Sequence, residues 1–355
     1  MKKFIFFCWA LMQFAFSFAQ SKNTNTLLWR IDSKNNEKSS YLFGTIHLPQ
    51  KKFVVYSDSV YAAIQNVNAF YNEIDFLKQS FFSDPALIAF FQEKAKFMDS
   101  VTKTASWKSF IRRINKEYNA DLEEDDLQAF VNFSQNLLAD LYKSEQGMKP
   151  PDLLLAQHAE ALGKKTGGIE TYLLQFRMLY DIIGARLNDT TMALTDEGEM
   201  LTQMKDFYVS EKLDSITAIV ERMNPSYKKI VFDDRNKTMA DSIAKYSNNE
   251  SSFFAIGAGH LGGKNGVIEF LRKKGFMVSP VHSENKISML VINSMLRIYK
   301  AKNNKGEMVK DAPAEGLKIA EISDAPPPPP KEEPPKVKAT DIKPPVKTKT
   351  KTKEQ

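Results

Sequence analysis

Ser252-Phe253-Phe254-Ala255-Ile256-Gly257-Ala258-Gly259-His260-Leu261-Gly262-Gly263-Lys264-Asn265-Gly266 is the stretch on which the fold turns. Ser252–Ile256 is a short apolar run stopped by glycine, the mark of a buried strand. Five of the chain's 15 glycines fall within Gly257–Gly266. Lys264–Lys274 then reads as a helix, and Phe276–Val281 as a second strand. Working outward, strand signals recur at Leu27–Ile31, Tyr41–Ile46, Ala69–Asp75 and Lys165–Glu170. Helical patterns lie between them at Asp58–Asn66, Pro85–Phe97, Asp152–Leu162, Thr171–Ile183 and Lys228–Tyr246. Alternating strands and helices predict an α/β fold whose central sheet is largely parallel or mixed and is flanked by helices. Residues 77–150 interrupt the rhythm, lack convincing strands and read as a helical insertion, and 190–247 is a second helical stretch.

The ends differ from this middle. Met1–Ala19 has Lys2 and Lys3, then an apolar run to Phe18 and small residues at Ser17 and Ala19, as in a secretory signal peptide cleaved before Gln20. The run is shorter than the ~20 residues a spanning helix needs. The one cysteine, Cys8, lies inside it, so the mature chain has no disulfide, no Cys-ligated zinc and no Cys nucleophile. Nine of the 16 prolines fall between Pro326 and Pro345, and Lys and Thr alternate beyond them. Residues 318–355 therefore read as a disordered Pro/Lys-rich tail, which leaves 20–317 as the α/β domain. The expected location is exported, periplasmic or extracellular. The tail is either a solvated extension or a contact with an anionic envelope surface. The formal charge is +6, but the leader contributes +2 and residues 326–355 contribute +4, so the middle is neutral and carries no nucleic-acid footprint.

One four-residue pattern occurs twice: Gly44-Thr45-Ile46-His47 and Gly257-Ala258-Gly259-His260, each at the exit of a predicted strand. Ligands of open parallel sheets bind beyond the carboxyl ends of the strands. Glycine would let the backbone turn there and aim the imidazole into the crevice. Glu73 and Glu170 fall at two further strand exits, and alternation puts Tyr71, Glu73 and Asp75 on one face. Two His and two Glu from four strand ends form a plausible ligand set for Zn²⁺, Mn²⁺ or Co²⁺. A metal there could generate hydroxide from water and polarise a carbonyl, or a Glu could act as general base. Arg235, in Asp233-Asp234-Arg235-Asn236-Lys237, is either a solvated charge or a clamp for an oxyanion. His158 and His282 read as structural and peripheral. The glycine-rich loop could also cradle an anion at a helix N-terminus. There is no P-loop, no His-Glu-x-x-His and no Gly-x-Ser-x-Gly, and the late position of the loop argues against a dinucleotide fingerprint.

These residues resemble the TraB/GumN family, which includes the Tiki proteases. The resemblance runs through Leu28-Trp29-Arg30 and Tyr41–Pro49, then Asn72-Glu73-Ile74-Asp75. It continues through Asp152–Leu162, Gly168-Ile169-Glu170-Thr171 with Gln175, Arg235-Asn236, and Phe254–Val278. It implies a fold similar to the ChaN proteins and the erythromycin esterases. For the Tiki branch it implies a metal-dependent peptidase needing both Gly-x-x-His motifs and a Glu. On this chain those are His47, His260 and Glu73, while Glu170, Arg235 and Asn236 match further motif positions. The leading expectation is thus an exported metal-dependent hydrolase of peptides or peptide-like substrates. The alternatives are a peptide- or haem-binding protein without turnover, and a metal-free hydrolase with His47 as base oriented by Glu73.

Overall fold

The computed structural model describes residues 25–78, 83–141, 145, 147–189 and 196–304. The expected leader and the Pro/Lys tail lie outside the described residues. In chain order the elements are β1 (Leu28–Ser33), β2 (Asn36–Thr45), β3 (Val55–Ser57), α1 (Asp58–Asn66) and β4 (Ala69–Asn72). Helices α2 (Pro85–Val101), α3 (Ala105–Tyr118), α4 (Leu127–Leu141) and α5 (Pro151–Ala161) follow. Then come β5 (Lys165–Gly168), α6 (Tyr172–Asn188), α7 (Asp196–Val209), α8 (Leu213–Glu221) and α9 (Pro225–Lys228). The chain continues through α10 (Asp234–Asn249), β6 (Ser252–Gly257), α11 (Val267–Lys273), β7 (Met277–Val281), β8 (Lys286–Ser288) and α12 (Met289–Asn304).

Six strands form one sheet in the order β5-β4-β6-β2-β1-β7. The four strands β5, β4, β6 and β2 are mutually parallel, and β1 is antiparallel to both its neighbours. The sheet is therefore mixed, with a parallel core. Strand alternation divides its apolar residues between two cores. Phe43, Phe70, Phe253 and Ala255 pack on one face with Ile64, Leu155 and Ile216. Leu42, Tyr71, Phe254 and Ile256 pack on the other with Met239, Ile243, Val267 and Leu271. Every residue of β6 is buried, as expected of a central strand covered by helices on both sides. The short ribbon of β3 and β8 escapes the sequence reading because three residues per strand leave no period to detect.

The stretch between β4 and α5 is helical and has its own core of Trp107, Phe110, Ile111, Ile114, Phe130 and Met98. Asp84 and Thr104 cap α2 and α3 through the backbone N–H groups of Ala86 and Trp107. This insertion leans on α6: Phe90 meets Tyr180 edge-on at 5.4 Å, Phe91 meets Phe176 at 4.9 Å, and Arg113 donates to the Arg186 carbonyl. No helix among the described residues is long and apolar enough to cross a membrane.

Candidate functional site

All four parallel strands release a polar residue at the same end of the sheet. His47 follows β2, Glu73 follows β4, Glu170 follows β5, and His260 ends the 3-10 turn after β6. Strand β4 stops at Asn72, three residues short of the sequence expectation. Glu73 is thereby released from the alternation that would have aligned it with Tyr71, which is held in the second core. The Glu73 carboxylate is the hub. Its Oε1 accepts from the Gly257 N–H at 2.7 Å and lies 3.9 Å from His47 Nε2 and 3.8 Å from His260 Nε2. Its Oε2 accepts from Arg235 Nη2 at 2.7 Å and from Gln175 Nε2 at 3.1 Å. Burial pushes this carboxyl up, but Arg235, the two imidazoles and the Gly257 N–H outweigh it and hold it well below the usual carboxylate range.

The imidazoles are held differently. His47 Nδ1 pairs with Asp152 Oδ2 at 2.8 Å, and Asp152 Oδ1 accepts from the Thr45 hydroxyl at 2.6 Å. The Asp152 charge raises His47 to about 9, against the opposing effect of burial. The His47 side chain is nevertheless 43 % exposed, which makes it the solvent face of the site. His260 is 6 % exposed, and its Nδ1 pairs with Asn236 Oδ1 at 2.6 Å. Burial, and then the Arg235 charge, lower it to about 3. In each ring the Nδ1 contact assigns the proton to that nitrogen. When neutral, each carries its lone pair on Nε2: that of His47 lies on the Glu73 side, and that of His260 accepts from Arg235 Nη1 at 3.3 Å, with Glu73 Oε1 3.8 Å away.

Arg235 and Glu170 take different roles from those the sequence suggests. Arg235 is buried at 7 % exposure. Its Nε and Nη2 grip Glu170 at 3.1 and 2.7 Å, Nη2 also holds Glu73, and Nη1 donates to the Val231 carbonyl at 3.2 Å. Nη1 further lies 3.6 Å from Met178 Sδ and 3.3 Å from His260 Nε2. Every N–H of the guanidinium is engaged inside the protein, so Arg235 has no donor left for a substrate oxyanion. It positions Glu73. Glu170 faces Arg235 and Gln175 rather than the imidazoles and acts as the counter-charge that fixes the guanidinium. Asn236 ties His260 to the glycine-rich loop, its Nδ2 donating to the Asn265 carbonyl at 2.8 Å. A π-helical turn, Lys229–Asp233, sets this up by bringing the Val231 carbonyl and the Phe232 ring to Arg235 and His260.

The glycines of the paired motif create space rather than left-handed turns, for neither lies in the positive-φ region. A Cβ at Gly44 would stand 3.1 Å from Ala258 and Leu261, so its absence lets the two strand exits close on each other. A Cβ at Gly257 would stand 3.3 Å from Glu73 Oε1, 3.4 Å from His260 Cδ2 and 3.6 Å from His47 Nε2, in the middle of the cradle. Gly262 and Gly263 are packed against Thr217 and Glu221, and Gly266 sits on the Gly262 carbonyl.

Two imidazole nitrogens, each backed by an acceptor on its other nitrogen, and one carboxylate oxygen make a donor set that suits a divalent transition metal. With bonds of about 2.1 Å, ligand atoms on a tetrahedral ion are about 3.4 Å apart, slightly closer than the separations to Glu73. Among the described residues, no group of three or more His, Cys, Asp or Glu side chains is assembled tightly enough to be a finished metal centre. The Glu73 carboxylate is held instead by Arg235, Gln175 and the Gly257 N–H.

Sequence reasoning missed Asp152, the partner of His47. It sits in the first turn of the apolar helix α5, where a carboxylate is equally explained as a favourable charge at a helix N-terminus. Its burial at 1 % exposure distinguishes the two, and that is a tertiary fact. Gln175, one turn into α6, was legible only through the family resemblance. His158 is in the core against Asn293 and Tyr61, and His282 is exposed, both away from the cradle.

The TraB/PrgY/gumN family model matches residues 27–280, the segment that contains every residue of this cradle. The chain belongs to the TraB/PrgY/gumN family. It is similar to the protein named Metalloprotease TIKI2 from Danio rerio, at 24 % identity over 322 residues. That match takes in 72 % of this chain and 61 % of the relative, so the chain spans about three-fifths of the relative's length. No solved structure matches the chain. Family members thus include a protein named as a protease, and the segment that the family model matches holds both Gly-x-x-His strand exits of this chain.

Proposed function

We propose that this TraB/PrgY/gumN member is an exported metal-dependent hydrolase, a peptidase acting on peptide or peptide-like substrates. His47, His260 and Glu73 would hold one Zn²⁺, Mn²⁺ or Co²⁺. The observation that carries the reading is the approach of both Nε2 atoms to the single oxygen Glu73 Oε1, at 3.9 and 3.8 Å, at the carboxyl ends of parallel strands. When bound, such a metal supplies a nucleophile from water at neutral pH and polarises the scissile carbonyl. The chain's own residues do the rest. Asp152 and Asn236 orient the two rings, and Arg235 and Gln175 hold Glu73 Oε2 so that Oε1 faces the imidazoles. The exposed edge of His47 is where a substrate arrives.

The purified chain is expected to take up about one equivalent of metal by elemental analysis, to hydrolyse peptides, and to lose both properties in His47→Ala and His260→Ala. Peptide hydrolysis undiminished by exhaustive chelation would refute the metal reading. It would favour a second one carried by the Asp152–His47 contact: an imidazole-assisted hydrolase in which Asp152, not Glu73, orients His47.

A further inference from the structure

Arg235 makes six polar contacts, one more than the five N–H groups of a guanidinium serve one to one. Nε and the two N–H groups of Nη2 are fully matched. Nε donates to Glu170 Oε1 at 3.1 Å, and Nη2 donates to Glu73 Oε2 and Glu170 Oε2 at 2.7 Å each. The surplus lies at Nη1. Its two N–H groups face three acceptors: the Val231 carbonyl at 3.2 Å, His260 Nε2 at 3.3 Å and Met178 Sδ at 3.6 Å. With three acceptors for two hydrogens, one of the three can be given up without stranding a donor.

The three acceptors differ in what else is asked of them. The Val231 carbonyl is fixed in the π-helical turn Lys229–Asp233. His260 Nε2 has a single lone pair, and while that pair accepts from Arg235 it is closed to a metal. Met178 lies on α6, three residues after Gln175, so one helix face presents both to the Arg235–Glu73–Glu170 network. Its partly buried thioether is a weak acceptor with no other task here. We propose that Met178 is a positioning residue for metal uptake: its sulfur takes over the Nη1–H that His260 gives up, so that His260 Nε2 is released while Arg235 stays paired. The proposal rests on the metal reading above. Arg235 is only 7 % exposed, and a buried N–H without an acceptor would bear its full desolvation cost. The contacts of Nε and Nη2 are untouched by the exchange, so Glu73 and Glu170 stay held throughout.

Zn²⁺, Mn²⁺ and Co²⁺, each titrated in competition with a chromophoric chelator into the purified chain, Met178→Leu and Met178→Gln, provide the test. Leucine nearly conserves the volume of methionine and removes the acceptor. Glutamine restores one through its amide oxygen. In the metal-free protein the leucine variant still has two acceptors for the two N–H groups of Nη1, so its urea midpoint should equal that of the wild type. With metal bound it has one N–H too many, and affinity should fall about tenfold. The glutamine variant should return to within a few-fold of the wild type. Should leucine lower the metal-free midpoint, the two variants are compared on folded protein alone, where glutamine should still bind about tenfold tighter. Equal affinity in the leucine variant and the wild type, or a glutamine variant as weak as the leucine one, would overturn the role of Met178 and leave the metal reading standing. Failure of the wild-type chain to take up any of the three ions would overturn both.

Discussion

His47 and His260 close the same four-residue pattern on two parallel strands, yet they end in opposite electrostatic surroundings. His47 is 43 % exposed and bound to a carboxylate, whereas His260 is 6 % exposed and bound to a neutral amide beside a guanidinium. One is raised to about 9 and the other lowered to about 3. The motif therefore fixes where an imidazole stands and not how it titrates. Its protonation is set by Asp152 from α5 in the case of His47, and by burial and then Arg235 from α10 in the case of His260. A metal would find His260 already neutral and would have to displace a proton from His47, so the two sites would contribute to binding with different pH dependence.

The comparison can be broken most forcefully at Arg235, which stands beside His260 and far less directly affects His47. Arg235→Met leaves Glu73 and Glu170 as buried carboxylates without their cation, at a cost of about 3–5 kcal/mol. Urea denaturation should show that loss, and adding Glu170→Gln should recover part of it. Full stability in the single variant would mean that the buried triad is not formed in solution.

Asp152→Asn comes next and acts on the other ring. Removal of a carboxylate behind a metal-ligating histidine costs about 10–100-fold in metal affinity. In the metal-free protein the His47 resonance, followed by NMR, should titrate well below 9 while His260 stays neutral across the range. A His47 titration unmoved by this change would separate Asp152 from the raised pKa.

Asn236→Ala tests the buried copy. It leaves the His260 Nδ1–H without an acceptor, worth about 1–3 kcal/mol in stability. The loss should be read with His47's titration unchanged, since the two rings have separate Nδ1 partners.

The smallest effect is a pair of slopes in stability against pH in the presence of chelator. His260, and His158 with it, have pKa values lowered in the fold. Their contribution is complete above the unfolded value near 6.5 and falls away as pH drops below it. His47, raised to about 9, contributes most below 6.5 and loses that contribution as pH climbs through 9. Solvent around its exposed ring reduces the size of this alkaline slope. Urea midpoints of His47→Gln should be flatter between pH 6.5 and 9 and keep the acid-side decline. An unchanged alkaline slope would contradict the pairing.

Much of this arrangement is legible in the chain because it is written in local periods. Ser252–Ile256 reads as a buried strand from five residues, and it lies at the centre of the sheet with every residue covered. The strand exits that carry His47, Glu73, Glu170 and His260 follow from the same reading. What the sequence misplaces depends on partners distant along the chain. Arg235 stays open in the sequence between a solvated charge and an oxyanion clamp because its neighbours Asp233, Asp234 and Lys237 cannot choose, whereas its actual partners are 65 and 162 residues away. Asp152 is passed over as the first residue of a helical pattern because nothing in its neighbourhood shows that Thr45 and His47 face it across more than a hundred residues.

By itself the sequence determined the α/β class, the repeated Gly-x-x-His exits and the resemblance to the TraB/GumN family, because strand and helix periods and short motifs are properties of neighbouring residues. Only the tertiary structure decided that Glu73 faces both imidazoles, that Arg235 is spent on two carboxylates, and that Asp152 beside one ring and burial near Arg235 around the other give the two rings opposite proton affinities. The reason is physical: charge, burial and hydrogen-bond partners are set by what packs across the sheet, and those groups come from segments that have no common local pattern.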